Sequence, residues 1–155
     1  MKQLQEYIPV ERIVPVDTVH REEILQQLIR TALPTAPTEL HTRVFQDITG
    51  LSRRKETSMG KGFFLVHTRT PEITEISVSV GLLGREIKYR RGEKAHTVFC
   101  IVVPDSMPRV YLCLMARLAR MLSLPATREV FLKREPRAIV ELIREFERVE
   151  PLTQE

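Results

Sequence analysis

Residues 97–103 read TVFCIVV. Every residue in this stretch is apolar or β-branched, and no charged side chain interrupts it. A continuous run of this kind is typical of a strand covered on both faces, whereas a strand with one wet face alternates apolar and polar residues. The stretch therefore predicts the centre of a sheet that lies between two layers of helices.

The segments that precede this stretch predict further strands. Residues 63–66 form a short apolar run, and residues 73–83 alternate, with Ile76, Val78, Val80 and Leu82 on one side. The alternation predicts a half-buried strand, and residues 84–89 (GREIKY) predict an edge strand. The polar, glycine-bearing stretch 51–62 is expected to be a loop, and residues 1–18 are expected to be extended.

Helices are predicted on both sides of the strands, over residues 21–33, 39–49, 108–122 and 126–132 and from Pro136 onward. In the segment 108–122 the polar residues fall on one narrow stripe, so this helix is expected to be buried over most of its circumference. The order of elements predicts an α/β fold: a three-layer sandwich with a mixed sheet of about five strands and helices on both faces, in a single domain over residues 1–155.

Length and composition are those of an ordinary globular domain. The chain has 155 residues, of which 43% are apolar and 28% are charged. No apolar run approaches the ~18 residues needed to cross a bilayer, so membrane insertion is not expected. The first residues form no apolar signal segment, and Cys100 and Cys113 have no metal-binding spacing. These features predict a cytoplasmic protein without a structural metal, and nothing in the sequence implies a cofactor.

The net charge of +4 raises the question of nucleic-acid binding. The 24 Lys and Arg are mixed with 20 Asp and Glu along most of the chain. Compact basic clusters occur at Arg53-Arg54-Lys55 and at Arg90-Arg91, while aromatic residues make up 6% and Trp is absent. Stacking platforms for bases are therefore scarce, and no nucleic-acid partner is predicted.

His67 is the residue that most invites a chemical interpretation. It follows the apolar run 63–66, and residues beyond the end of a strand lie at the sheet rim, where α/β proteins usually bind ligands. An imidazole there can act as a base, a metal ligand or a nucleophile. The alternative is a structural histidine held by a backbone carbonyl. His20, His41 and His96 complete no metal-binding pattern.

The spacing of Thr57, Gly60, Gly62 and His67 resembles the T-x-x-G-x-G-x4-H pattern of the fructose/mannitol and nitrogen-regulatory type of enzyme IIA, a phosphocarrier family of the bacterial phosphotransferase system. The segments HREEILQQLIRTAL, EISVSVGLLGREIKY and TVFCIVVPDSMPRVYLCLMARLARML are similar to the family's first helix, middle strands, and core strand with the following helix. The resemblance covers roughly residues 5–148.

This resemblance implies that His67 accepts a phosphoryl group from the carrier HPr and passes it to a IIB domain, or holds it as a regulatory mark in sugar transport or nitrogen regulation. The loop N–H groups around Gly60 and Gly62 are expected to contribute to phosphate binding, together with Arg69. The family's usual arginine is expected at Arg53 or Arg54, and arginine's planar fork fits phosphate well. Taken without the resemblance, the basic residues 53–55 read as an exposed loop.

Three departures from the family pattern bear on activity. Phe64 and Val66 stand where the family usually has Ala and Pro, and Tyr111 stands where it usually has a second histidine. A phenol donates a hydrogen bond but cannot become a cation at neutral pH. Tyr111 either faces the site or is a core aromatic. Two functions follow: an active phosphohistidine phosphotransferase, or a IIA-like regulatory or binding module with weakened transfer that controls a transporter or another partner.

Overall fold

The structure, a computed structural model, describes residues 1–50, 56–90 and 92–152. Its strands are β1 (Ile13–Val16), β2 (Glu56–Gly60), β3 (Phe63–Thr70), β4 (Ser77–Arg90) and β5 (Glu93–Pro104). Its helices are α1 (Leu4–Tyr7), α2 (Arg21–Ala32), α3 (Thr38–Thr49), α4 (Pro108–Leu122), α5 (Thr127–Leu132) and α6 (Pro136–Val149), with a 3₁₀ turn at Val10–Arg12.

The five strands form one mixed sheet in the order β1-β4-β5-β3-β2. The pairs β1–β4 and β3–β5 are parallel, whereas β4–β5 and β2–β3 are antiparallel. Two antiparallel hairpins are thus joined side by side through the parallel pairing of β3 with β5. The predicted mixed sheet of about five strands is confirmed.

Helices cover both faces of the sheet, which confirms the three-layer sandwich. Along β3, Phe63 and Leu65 face the layer that contains α1, α4, α5 and α6. Phe64 and Val66 alternate with them and face the layer formed by α2 and α3. Each helix contributes an apolar stripe to its own core, as the 3.6-residue periodicity predicts.

The central strands are buried on both faces. In β5 every residue from Ala95 to Pro104 is buried, which confirms the prediction from TVFCIVV. The prediction that β4 is half-buried is wrong, because α2 lies directly on its second face. Ser79 is fully buried and donates a hydrogen bond to the Leu28 carbonyl at 2.6 Å. A Cβ on Gly81 would lie 2.8 Å from Leu28 Cδ2, so glycine permits this close approach.

Three strand predictions are corrected. Residues 56–60, expected within a loop, form β2, whose polar residues pair antiparallel with β3. The strand expected to end at Val66 continues to Thr70. The segment 84–89 is not a separate edge strand but the continuation of β4, and it pairs with the start of β5. In each case backbone pairing with another strand, rather than a local pattern of apolar residues, maintains the strand conformation.

The predicted helices are present. Two related predictions are wrong: one concerns the conformation of the N-terminal segment, and the other concerns the burial of α4. Residues 1–18 are not uniformly extended, because they contain α1 and the 3₁₀ turn before β1. Helix α4 is buried along one side only: Leu112 is 61% exposed, and Ala116 and Ala119 are exposed beside it. Its outer surface therefore carries apolar side chains that no neighbouring helix covers.

The N-terminal helix α1 is fastened to α6 by a buried carboxylate. Glu147 is only 4% exposed, and it accepts hydrogen bonds from the backbone N–H groups of Leu4 at 2.7 Å and Gln5 at 3.0 Å. These two groups belong to the first turn of α1, where backbone donors lack partners within the helix. Arg117 of α4 forms an ion pair with the same carboxylate at 3.9 Å.

Candidate functional site

His67 lies inside β3 rather than beyond its end. The strand continues for three residues after it, and His67 stands in register with Ile101 of the neighbouring strand β5. Its side chain is half-buried on the sheet face that α4 covers. The expectation of a histidine at the rim is therefore corrected: the imidazole is part of the sheet surface near the carboxyl ends of β3 and β5.

Tyr111, in the first turn of α4, stacks on His67. The two ring centroids are 4.8 Å apart and the ring planes differ by 27°, a stacked arrangement. Tyr111 is 8% exposed, and this burial raises the pKa of its phenol to about 12. The two alternatives for Tyr111 are thus combined, because the residue belongs to the core and also contacts His67. At neutral pH it presents an uncharged hydroxyl.

The His67 side chain is partly enclosed. Nδ1 is buried, although the residue as a whole is half-buried. Tyr111 occupies one face of the ring. A reactant therefore reaches the imidazole through the part of the residue that stays accessible to solvent.

Gly60 and Gly62 do not lie beside His67. They flank Lys61 in the hairpin between β2 and β3, with φ values of 83°, 56° and 86° for residues 60, 61 and 62. Positive φ at both turn residues suits the right-handed twist of a two-residue hairpin. His67 follows Gly62 by five positions along an extended strand, a span of about 16 Å. The two glycines shape the hairpin, and their expected role in binding phosphate stays a prediction.

His96 anchors the tip of this hairpin. Its Nε2 lies 2.8 Å from the Lys61 carbonyl oxygen, its Nδ1 lies 2.7 Å from Thr97 Oγ1, and its ring meets Phe63 edge-on. A Cβ on Gly62 would collide with the imidazole, so glycine is required there for space as well as for its φ. Burial is the main cause that lowers the pKa of His96 below its ordinary value of 6.5.

This lowered pKa predicts a loss of stability in mild acid. The unfolded chain binds the His96 proton more readily than the folded chain, so the free energy of unfolding falls as the pH drops through 6.5 toward the lowered pKa. Urea unfolding at pH 7.5 and at pH 5.5 should show a smaller pH dependence for His96→Gln than for the unmodified chain. His20→Gln, at an exposed site, serves as the control. An unchanged pH dependence in His96→Gln would contradict the prediction.

The other predicted site residues fall into two groups. Thr57 pairs with Leu65 in the register of β2 and β3, which makes it a diagonal neighbour of His67 on the same face, about 7–8 Å away. Arg69 is exposed and lies on that face too, two residues along β3 or about 7 Å. Arg53 and Arg54 lie outside the described residues, as does Lys55.

The departures at Phe64 and Val66 do not distort the strand. Both side chains face away from His67, into the core formed with α2 and α3. Phe64 is 1% exposed, and β3 keeps an unbroken parallel register with β5 from Phe63 to Thr70. The bulk of Phe64 is therefore accommodated on the opposite face of the sheet from the candidate site.

The sequence did not indicate two buried polar contacts that connect the strands of the candidate site to α2 and α3. Thr68, which follows His67, is buried on the other face and donates its hydroxyl proton to the carboxylate of Asp47 in α3. Glu56 at the start of β2 is buried and forms an ion pair with Arg21 of α2. Neither pair has a sequence signal, because its members lie on elements whose packing emerges only with the fold.

Two further observations concern metal binding and membrane insertion. Within residues 1–50, 56–90 and 92–152, no group of three or more His, Cys, Asp or Glu side chains is placed to hold a metal ion. Over those ranges, none of the helices combines the length and the apolar character needed to cross a bilayer.

Comparisons with known proteins connect this geometry to a family. The family model described as "Phosphoenolpyruvate-dependent sugar phosphotransferase system, EIIA 2" matches residues 6–146. A sequence search of curated proteins finds no match. Among solved structures, the nitrogen regulatory protein IIA-Ntr from Neisseria meningitidis is similar, with a TM-score of 0.79 and 14% identity over 90% of this chain and 98% of that chain.

Two further structures share the fold. A putative PTS IIA (PtxA) from Streptococcus mutans has a TM-score of 0.74 and 12% identity, and the match covers 96% of each chain. The complex of enzyme IIAMTL and phosphorylated enzyme IIBMTL from Escherichia coli gives a TM-score of 0.68 and 12% identity, over 87% of this chain and 95% of that chain. At these identities the structural matches support the fold.

Proposed function

Because the chain belongs to the EIIA 2 family of the phosphoenolpyruvate-dependent sugar phosphotransferase system, we propose that it is a cytoplasmic phosphocarrier whose acceptor is His67. In this proposal His67 receives a phosphoryl group from an HPr-like carrier and passes it to a IIB domain, or retains it as a regulatory mark. The observation that carries the proposal is the half-buried imidazole of His67, which stacks on Tyr111 and keeps partial access to solvent.

The proposed chemistry is an in-line transfer to a ring nitrogen of His67. The nitrogen that carries no proton attacks phosphorus with its lone pair. The new N–P bond forms as the bond between phosphorus and the donor atom breaks, and the donor atom keeps that electron pair. The protein contributes to the rate mainly by positioning the reacting groups and by stabilising the charge of the transferred phosphoryl group. Stacking on Tyr111 supplies positioning by fixing the plane of the imidazole.

Two features can offset the charge of the transferred phosphoryl group. Arg69 lies on the same sheet face as His67, and the first turn of α4, which contains Tyr111, brings the positive end of a 15-residue helix to the site. Tyr111 adds a neutral donor, since burial raises its phenol pKa to about 12. This arrangement provides less positive charge than a second histidine would.

A second candidate function follows from that neutral phenol. If phosphoryl transfer requires a cation at position 111, the chain is a regulatory or binding module that keeps the fold and has weakened transfer. The partner in either case is of the IIB, phosphocarrier or transporter kind. A structural precedent for the kind of partner is the complex of enzyme IIAMTL with phosphorylated enzyme IIBMTL.

Changing Tyr111 to histidine distinguishes the two candidates. Tyr111→His is expected to raise the rate of phosphoryl transfer several-fold at pH 6, where an imidazole is mostly protonated, and less at pH 8. Tyr111→Phe, which keeps the stacked ring, is the matched control for packing. The rates come from single-turnover transfer from phosphorylated HPr. An equal rate at both pH values for Tyr111→His would show that charge at this position is not limiting.

The direct test is phosphorylation of the unmodified chain. The protein is incubated with phosphoenolpyruvate, enzyme I and HPr from the same organism, and is then analysed by intact mass and site mapping. One acid-labile phosphoryl group on His67 is the expected result. A folded sample that gains none, beside a known IIA that is labelled in parallel, would reject the phosphocarrier and favour the binding module.

A further inference from the structure

An open apolar groove runs between β2 and α4, next to the candidate acceptor. It has a volume of about 400 Å³ and is lined by Ser58, Met59, Leu112, Met115, Ala116 and Ala119. Leu112 is 61% exposed, and the groove draws its apolar atoms from two separate elements. An isolated exposed leucine is ordinary, but a shared apolar surface of this kind marks an interaction site.

The groove follows α4 from Leu112 to Ala119. Leu112 comes directly after Tyr111, whose ring stacks on His67. At the other end, Lys61 in the hairpin lies 3.5 Å from the Ser123 carbonyl oxygen at the C-terminus of α4. A partner that fills the groove would therefore lie between the hairpin and the turn of α4 that contacts His67.

The walls of the groove carry positive charge. Neither residues 57–70 nor residues 108–122 contain an Asp or a Glu, although the chain has 20. Arg117 and Arg120 on α4 are engaged with Glu147 and Glu150 on the α6 side. Lys61, Arg69 and Arg109 are the exposed basic residues of these two segments that have no such partner on α6.

We propose that this face docks a protein whose own docking surface is acidic around an apolar centre. Charge complementarity of this kind raises association rates and excludes partners of the same sign, while the apolar centre supplies the desolvated contact. The further step, that this acidic protein exchanges the phosphoryl group with His67, rests on the proposed function. A small, transient interface would be sufficient for such an exchange.

A second copy of this chain does not fit the same face. In a twofold-symmetric pair each copy presents the same patch, so Lys61 and Arg109 of one copy would face cationic residues of the other. Like charges across an interface oppose association. The occupant must therefore supply the carboxylates that this face lacks.

The test uses two synthetic amphipathic peptides with the same apolar residues, one with glutamates at the flanking positions and one with lysines. The chain carries isotope-labelled Met and Leu methyl groups. The acidic peptide should shift the signals of Met59, Leu112 and Met115 saturably, and the basic peptide should not. About 300 mM salt should weaken the acidic complex several-fold. Equal binding of both peptides, or shifts confined to other methyl groups, would overturn the proposal.

Charge reversal on the face provides the matched variants. The double variant Lys61→Glu, Arg109→Glu is expected to bind the acidic peptide about tenfold more weakly. Arg30→Glu, Arg137→Glu makes the same change in net charge at exposed positions on α2 and α6, and should bind normally. If both double variants lose affinity equally, net charge rather than this face controls binding, and the proposal fails.

A parallel measurement separates this proposal from the phosphocarrier. His67→Gln should bind the acidic peptide as the unmodified chain does. Peptide binding without any phosphorylation of His67 by HPr would reject the phosphocarrier and leave the docking surface standing. Phosphorylation that neither salt nor the Lys61→Glu, Arg109→Glu variant slows would reject the docking surface and leave the phosphocarrier standing.

Discussion

Replacing His67 by glutamine is expected to abolish phosphoryl labelling of the chain by phosphoenolpyruvate, enzyme I and HPr. An amide nitrogen offers no lone pair for attack on phosphorus, so no residual transfer should remain at this position. Glutamine is of similar size and can keep contact with Tyr111 in the stacked site. The free energy of unfolding should therefore change by no more than about 1 kcal/mol.

The measurement combines intact mass after labelling with urea unfolding of the same sample. His20→Gln, at an exposed position before α2, is the matched control and should be labelled normally. Labelling that persists in His67→Gln would move the acceptor to another residue. A loss of several kcal/mol in His67→Gln would instead support a structural role for this histidine.

His67→Ala is the less informative variant because of where the residue lies. At a strand end, truncation would remove little packing. Within β3, beneath the first turn of α4, truncation uncovers one face of Tyr111 and leaves a gap. Its expected destabilisation is about 1–2 kcal/mol, more than for glutamine. If only His67→Ala were tested, a loss of phosphoryl labelling would not distinguish a loss of the acceptor from a loss of packing.

The sequence predicts the middle of the sheet well because burial on both faces forces a continuous apolar run. The stretch TVFCIVV could hardly occupy another environment, and β5 is buried from Ala95 to Pro104. Helices α2 and α6 are predicted equally well, since each shows an apolar stripe at helical spacing. Where a strand is buried on both faces, or a helix along one side, the local pattern of apolar residues is sufficient to predict it.

The edges of the sheet are where prediction fails. Residues 56–60 and 68–70 are largely polar, so no pattern of apolar residues marks them as strand. Their strand conformation comes from backbone pairing: β2 with β3 across a tight hairpin, and the end of β3 with the end of β5, which lies more than 30 residues away. Local propensity does not report such pairing.

The members of the candidate site stay a prediction, whereas the fold shows how these residues are arranged relative to one another. The resemblance to the family selected His67 and Tyr111, which the fold brings within stacking distance. The same resemblance placed Gly60 and Gly62 beside His67 because they are close in sequence. An extended strand, however, advances about 3.3 Å per residue, so five residues carry the hairpin well away from the imidazole. The distance between the two glycines and His67 is therefore set by strand geometry and not by their closeness in the sequence motif.

Replacing Glu147 by alanine is expected to cost about 2–4 kcal/mol of the free energy of unfolding. The carboxylate accepts bonds from the backbone N–H groups of Leu4 and Gln5 and lies beside the Arg117 guanidinium. Removing it leaves the buried N–H of Leu4 and the partly buried N–H of Gln5 without this acceptor, and it removes the carboxylate that pairs with the half-buried Arg117. Because Leu4 is fully buried, α1 cannot simply expose these groups to water without losing apolar contacts.

Glu147→Gln should give an intermediate loss. The amide oxygen can accept one of the two backbone bonds, but the amide nitrogen then faces the second N–H donor, and the charge opposite Arg117 is gone. Glu141→Ala is the control, since Glu141 sits on the same helix in an exposed ion pair with Arg144 and such pairs contribute little.

Urea unfolding gives the free energies, and amide hydrogen exchange at Leu4 and Gln5 reports whether α1 detaches. Faster exchange at these two amides in Glu147→Ala, with slow exchange retained in β5, is the expected pattern. It would show that the carboxylate holds α1 onto α4 and α6 locally rather than supporting the whole fold. If Glu147→Ala and Glu141→Ala had the same effect on stability, the buried carboxylate would be no more important than a surface charge.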